Sequence, residues 1–205
     1  MNPFRAALTV LGSSFKDLWQ DLWMSLVVSL LWLLANVLVI PGPPATLTLF
    51  YYSSCTAHGE VCDFGDLWRE FRRSWGTGWR WGILNIAALL VLVGDVYLTG
   101  QLAWSLTTIR YVQGIYFTLA AVWMLVQVYA LAFLREQEKT SIRMALRNGA
   151  VLLGRNIFFS IVLALIAGLI LLAGIPLFML SAFFGAVFVA GVGCHAVIDR
   201  LGIPV

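Results

Sequence analysis

Residues 22–40 read LWMSLVVSLLWLLANVLVI and run directly into Pro41-Gly42-Pro43-Pro44. Not one of these nineteen residues is charged. About 20 mostly apolar residues in a helix cross a hydrocarbon layer about 30 Å thick. The proline break ends the helix, because proline lacks the amide hydrogen and crowds the preceding turn. The stretch therefore predicts a membrane-spanning helix followed by a turn.

Runs of the same character recur at 45–58, 82–99, 115–133, 158–174 and 177–198, the last two joined by a turn at Gly174-Ile175-Pro176. The run 45–58 is short for a full crossing, and tilting or local thinning of the bilayer would accommodate it. The expected fold is all-α, a polytopic membrane helical bundle of about six transmembrane helices, the second one short. It forms a single integral membrane domain over residues 1–205. Composition agrees: 61% of residues are apolar and 11% charged, against roughly 45–50% and about 25% in soluble domains. So much apolar surface cannot be hidden in one soluble core of 205 residues. Soluble, disordered and nucleic-acid-binding classes drop out despite a net charge of +3.

Basic residues set the expected orientation. With six spans, one side carries Arg5, Lys16, Arg69, Arg72, Arg73, Arg80, Arg135, Lys139, Arg143, Arg147, Arg155 and Arg200, and the other carries Arg110. Positively charged loops stay in the cytoplasm, so both termini are expected there, in a bacterial cytoplasmic membrane. Deleting the second span alone would put Arg5 and Lys16 opposite the other basic segments, which argues that it crosses. The first apolar run is too long for a signal peptide and has no small-residue cleavage site behind it, so it is expected to persist.

The polar stretches are amphipathic. Phe4, Leu8, Leu11, Phe15, Leu18 and Leu22 recur at helical spacing opposite Ser13, Ser14 and Asp17, which predicts an interfacial helix over 1–21. Phe64, Leu67, Trp68, Phe71 and Trp75 form a second apolar stripe, and a third amphipathic helix is expected over 141–153, both cytoplasmic. Trp75, Trp79 and Trp81 cluster where an inner aromatic belt would lie. Arg69, Arg72, Arg73, Trp75 and Arg80, with Arg143, Arg147 and Arg155, are the residues expected to dock a cytoplasmic partner or anionic lipid. A weak repeat at a shift of 75 residues places Leu67, Phe71, Arg72 and Arg80 on Ile142, Leu146, Arg147 and Arg155.

Candidate sites are few. Asp95 is the acid inside a spanning run, toward its outer half, where a charge must pair, be hydrated or be protonated. It reads either as an ion or solute contact or as an outer-interface residue bonded to Gln101, Tyr97 or Arg110. The break Pro41, Gly42, Pro43, Pro44 reads either as an interrupted helix lining a transport site or as a plain hairpin with proline in the first helical turn. Asn36 reads as interhelical glue or a ligand contact. Cys55, His58, Cys62, Cys194 and His195 gather near one end of two helices, but their spacing matches no strict zinc or haem motif. No metal or cofactor is expected, and on the reducing side of the membrane these cysteines are expected as packed thiols without a disulfide. Ala182, Ala186, Ala190 and Cys194, with Ala164 and Gly168, form small-residue ladders suited to close helix packing. No nucleophile, base and acid converge, so the chain is not expected to be an enzyme.

The run from Trp32 through Pro41, then Pro44-Ala45-Thr46-Leu47, and later Phe64-x-x-Leu67-Trp68-Arg69-x-Phe71-Arg72 ahead of a span, resembles the YesL-like family of small bacterial multi-pass membrane proteins. The chain departs from that pattern in lacking a threonine just after the first proline, and its second half follows the family by span layout only. The resemblance implies an accessory or structural component of a membrane transport complex, related to carbohydrate uptake, with other membrane subunits or a cytoplasmic partner. It supplies no site residues. Two alternatives stand beside it: a structural subunit of a larger energy-converting or photosynthetic complex, and an independent small-solute carrier using Asp95 and the 41–44 break.

Overall fold

The computed structural model describes residues 3–102, 105–137, 140–173 and 178–203, with the backbone alone at 173 and 178–183. The turn expected at Gly174-Ile175-Pro176, Lys139 and the side chain of Ala182 lie outside the described residues. Among the described residues the chain is helical throughout, in nine helices: α1 (Pro3–Gln20), α2 (Leu22–Val37), α3 (Gly42–Ala57), α4 (Phe64–Arg73), α5 (Trp75–Gln101), α6 (Leu106–Glu136), α7 (Ile142–Arg155), α8 (Ile157–Ala173) and α9 (Phe178–Leu201).

Several of these helices are long and apolar enough to cross a membrane, but not six. Among the described residues α5, α6 and the 184–201 part of α9 qualify singly, and the number rises to five if α1 with α2 and α7 with α8 each count as one broken crossing. Each of those pairs is bent by 96°. Helices α2 and α3 have 16 residues each and α8 has 17, which is about 24–26 Å of helix. The run 22–40 comes up short because the chain turns before Pro41. Val39 adopts a left-handed φ of 64°, and the amide of Gly42 donates to the Val39 carbonyl at 3.2 Å.

The α2–α3 hairpin is laced by its own polar groups. Trp32 Nε1 donates to Thr46 Oγ1 at 3.1 Å, and Asn36 Nδ2 donates to the Trp32 carbonyl at 2.8 Å. Pro43 and Pro44 stand in the first turn of α3, where no amide hydrogen is needed. The tip packs on the start of α5: a Cβ on Gly78 would lie 2.7 Å from Pro44 N, and one on Gly82 would lie 2.8 Å from Pro43 Cγ. Helix α5 thus runs antiparallel to α3 and continues for about 28 Å past the hairpin tip. Beyond Gly82 its one buried described residue is Thr99. In α6 burial begins at Val126. The distal half of the α5–α6 hairpin therefore presents apolar side chains outward, as a lipid-facing pair does.

At the other end the bundle is dense. Helix α3 packs against α2, α4, α5, α6 and α9, and Leu47, Tyr52 and Ala57 are almost fully buried. In a bilayer such contacts are held by close van der Waals fit rather than by escape from water, so small residues mark the crossings. Gly149 of α7 lies where a Cβ would meet Ala130 N at 2.9 Å, and Gly193 of α9 where one would meet Val128 Cγ1 at 2.7 Å. Ala190 and Cys194 of the expected ladder are buried, whereas Gly168 faces open space.

Helix α1 has two faces that the periodicity merged. Ala6, Ala7, Val10, Leu11, Ser14 and Leu18 are buried against α8 and α9. Phe4, Leu8, Phe15 and Trp19 are exposed. The predicted stripe thus divides: Leu11 and Leu18 join Ala6, Ala7 and Val10 on the buried face, while Phe4, Leu8 and Phe15 stay outside it.

Candidate functional site

The strongest polar constellation lies where α1 bends into α2. Asp17, Asp21 and Ser25 follow at intervals of four, so successive turns carry them toward the same side of the junction. Tyr52 of α3, fully buried, donates its hydroxyl hydrogen to Asp21 Oδ2 at 2.8 Å. The Tyr52 hydroxyl oxygen in turn accepts from Ser25 Oγ at 3.0 Å. His195 of α9 donates from Nε2 to Asp17 Oδ2 at 2.6 Å. Four helices are thereby tied through side chains that satisfy one another, as burial requires. The sequence reading left Asp17 on the polar face and did not single out Asp21, Ser25 or Tyr52; the Asp-Asp-Ser spacing leading into an apolar run was the available signal.

The bend between α7 and α8 repeats part of this device. Ser160 stands four residues after Asn156, as Ser25 stands four after Asp21, and its amide likewise donates to the carbonyl at the bend. Tyr129 of α6 donates to Ser160 Oγ at 2.9 Å. In each case a buried serine one turn into the second helix holds a tyrosine from a neighbour.

A third network joins α5 to α6. Gln127 Oε1 accepts from Trp81 Nε1 at 2.7 Å and from Asn85 Nδ2 at 3.4 Å, while Asn85 Oδ1 accepts from Trp123 Nε1 at 3.1 Å. These contacts fix α5 on α6 just above the tip of the α2–α3 hairpin.

Charge is paired at the lower end of α6. Arg135 Nη1 bonds Glu70 Oε1 of α4 at 2.6 Å, and its guanidinium lies 4.7 Å from the Tyr51 ring centroid. Glu136 lies 3.7 Å from His58 Nε2 and accepts from Ser54 Oγ at 3.4 Å. Tyr51, Cys55, His58, Arg135 and Glu136 line a cavity of about 260 Å³.

The cysteines correct one expectation. Cys55 and Cys62 are joined by a disulfide across a Cα separation of 6.3 Å. After α3 ends, Gly59 with φ 72° reverses the chain and the Glu60 amide bonds back to the Cys55 carbonyl, which returns Cys62 to its partner. Cys194 stays a buried thiol directed at the Phe50 carbonyl. The five residues weighed as a metal group are thus divided among separate partners, and among the described residues no three His, Cys, Asp or Glu side chains are arranged to hold a metal ion.

The other expected residues are placed as follows. Asp95 is half-buried on the distal part of α5, where Thr99 Oγ1 donates to its main-chain carbonyl. Asn36 lies beside Gly42 at the hairpin tip, about 20 Å lower along α5, and Gln101 is exposed at the end of α5. These three are not brought together. Arg69, Arg72, Arg73, Trp75, Arg80, Arg143, Arg147 and Arg155 are all exposed. Arg72 stacks on Trp68 at 5.4 Å and Arg69 pairs with Asp66 at 3.2 Å. Arg73 shares a cavity of about 180 Å³ with Arg135 and Thr140, which brings the end of α4 next to the approach to α7.

No protein-family model, curated protein or solved structure matches this chain.

Proposed function

We propose that this chain is a non-enzymatic multi-pass protein of the bacterial cytoplasmic membrane, with both termini in the cytoplasm, acting as an accessory or structural subunit of a transport complex. The YesL-like features of its first half give the carbohydrate setting. The observation that carries the reading is a division of labour among polar groups. Asp17, Asp21, Tyr52, His195, Glu70 and Arg135 are spent on one another inside the bundle, while the eight arginine and tryptophan positions of α4, α5 and α7 face outward. Groups that only pair internally hold a scaffold, and an outward basic and aromatic surface suits a cytoplasmic partner or anionic headgroups.

This orientation takes the α2–α3 hairpin as one that crosses twice or enters and returns, and it sets the Cys55–Cys62 bond on the reducing side, where cytoplasmic thiols would open it. Whether that hairpin crosses twice or enters and returns, it leaves Arg5 and Lys16 on the side of the other basic segments, so a six-span arrangement and a re-entrant one give the same polarity.

The test is purification from native membranes with and without Arg69, Arg72 and Arg73 replaced by glutamine. The reading expects membrane-transport proteins to travel with the wild-type chain and to be lost from the variant. Recovery of the chain alone, with no uptake defect on deletion, refutes it. Labelling of either terminus by an impermeant reagent outside intact cells refutes the orientation.

A further inference from the structure

A cavity of about 570 Å³ opens where the end of α7, the start of α8 and the end of α9 meet, and it is lined by Asn148, Arg155, Asn156, Asp199 and Arg200 among others. We propose that it binds the phosphate headgroup of an anionic phospholipid, with the acyl chains lying along the exposed apolar face of α8.

Arg200 is held in place for such a ligand. Its guanidinium stacks 3.8 Å from the Phe159 ring centroid, its Nη1 reaches Asn156 Oδ1 at 3.4 Å, and its Nε faces Asp199 at 3.3 Å. Nη2 is buried without a partner. Arg155 is exposed at the cavity mouth, and among the described residues no hydrogen bond or ion pair engages it. Two guanidiniums against one carboxylate leave a net positive cavity, and a phosphate accepts several charge-assisted hydrogen bonds at once. The volume lies within the range of small-molecule sites, about 300–1,000 Å³.

The lipid source follows from what adjoins the cavity. Immediately after Asn156, Phe158, Ile161 and Leu165 are exposed along α8, and α8 carries no charged residue. A polar socket continuous with an apolar track suits a molecule with a phosphate at one end and hydrocarbon at the other. A soluble phosphate would gain nothing from that track.

The site rests on the membrane reading above, and its test is independent of orientation. The full-length protein in neutral detergent micelles is titrated with phosphatidylglycerol, phosphatidylcholine or inorganic phosphate at constant ionic strength, and the unfolding temperature is followed. Phosphatidylglycerol should raise it saturably, with the other two having little effect. Arg155→Gln should raise the half-saturating concentration about tenfold, while Arg110→Gln, exposed at the start of α6 and far from the cavity, stays within about twofold. Asp199→Asn removes the acid lining the cavity and should tighten binding several-fold, a gain that misfolding cannot imitate. Equal losses in the two arginine variants, an inorganic phosphate response matching that of phosphatidylglycerol, or no saturable response each overturn the proposal. External labelling of the termini would defeat the proposed orientation and leave a positive micelle result standing.

Discussion

The packing of α5 on the proline hairpin can be tested with one methyl group. Gly78→Ala places a Cβ 2.7 Å from Pro44 N, 2.8 Å from Pro44 Cα and 3.0 Å from the Pro43 carbonyl carbon. All three are backbone atoms of a turn stiffened by prolines, so no side chain can swing aside. Carbon contacts are comfortable at about 3.5–4.0 Å, so α5 must withdraw by about 1 Å along this crossing. Overpacking of that kind costs about 1–3 kcal/mol. Against it stands the helix preference for alanine over glycine, about 1 kcal/mol. Gly94→Ala, in the same helix with nothing within 4 Å of its added Cβ, receives the preference without the clash. Unfolding free energies measured in mixed micelles by denaturing-detergent titration should place Gly78→Ala about 1–3 kcal/mol below Gly94→Ala. Equal stabilities, within about 0.5 kcal/mol, would show that the hairpin tip does not bear on α5 and would remove the basis for the protruding α5–α6 hairpin.

Three further outcomes follow from the same contacts. Tyr52→Phe leaves Asp21 and Ser25 facing a buried position without the shared hydroxyl, which should cost about 1–3 kcal/mol, and an unchanged unfolding midpoint would show that the junction is not held this way. Val39→Gly relieves a left-handed conformation that a β-branched side chain tolerates poorly and should raise stability by about 1 kcal/mol in the same titration; a loss instead would mean that Val39 is valued for contacts at the tip. A double-mutant cycle of Glu70→Gln and Arg135→Gln should return a coupling of about 1–2 kcal/mol, because both side chains are largely buried, and a coupling near zero would place α4 free of α6.

The residues that reason well from sequence are those whose environment is set by neighbours along the chain. The apolar runs, the amphipathic α4 and α7, and proline in the first turn of α3 all follow from local hydropathy and backbone chemistry. Outward placement of the eight basic and aromatic positions follows too, since a guanidinium left unpaired in hydrocarbon is costly. Two local readings lacked the information they needed. The stripe on α1 could not reveal that Leu11 and Leu18, with Ala6, Ala7 and Val10, are buried while its aromatics stay outside, because periodicity identifies a face but not its neighbour. The Cys55–Cys62 pairing depends on the reversal at Gly59, a backbone feature that cysteine spacing alone does not specify.

The chain by itself determined that this is a helical protein with apolar helices suited to a membrane, because that property is a sum over adjacent residues. It did not determine where α5 and α6 begin, at Trp75 and Leu106 rather than at 82 and 115. Tertiary structure alone decided how far the α2–α3 hairpin reaches, which acids are consumed in holding α1, α2, α3 and α9 together, and that Arg155 and Arg200 share a cavity. Those outcomes join residues up to 178 positions apart, and contacts at such distance are fixed by how helices cross rather than by what any one of them contains.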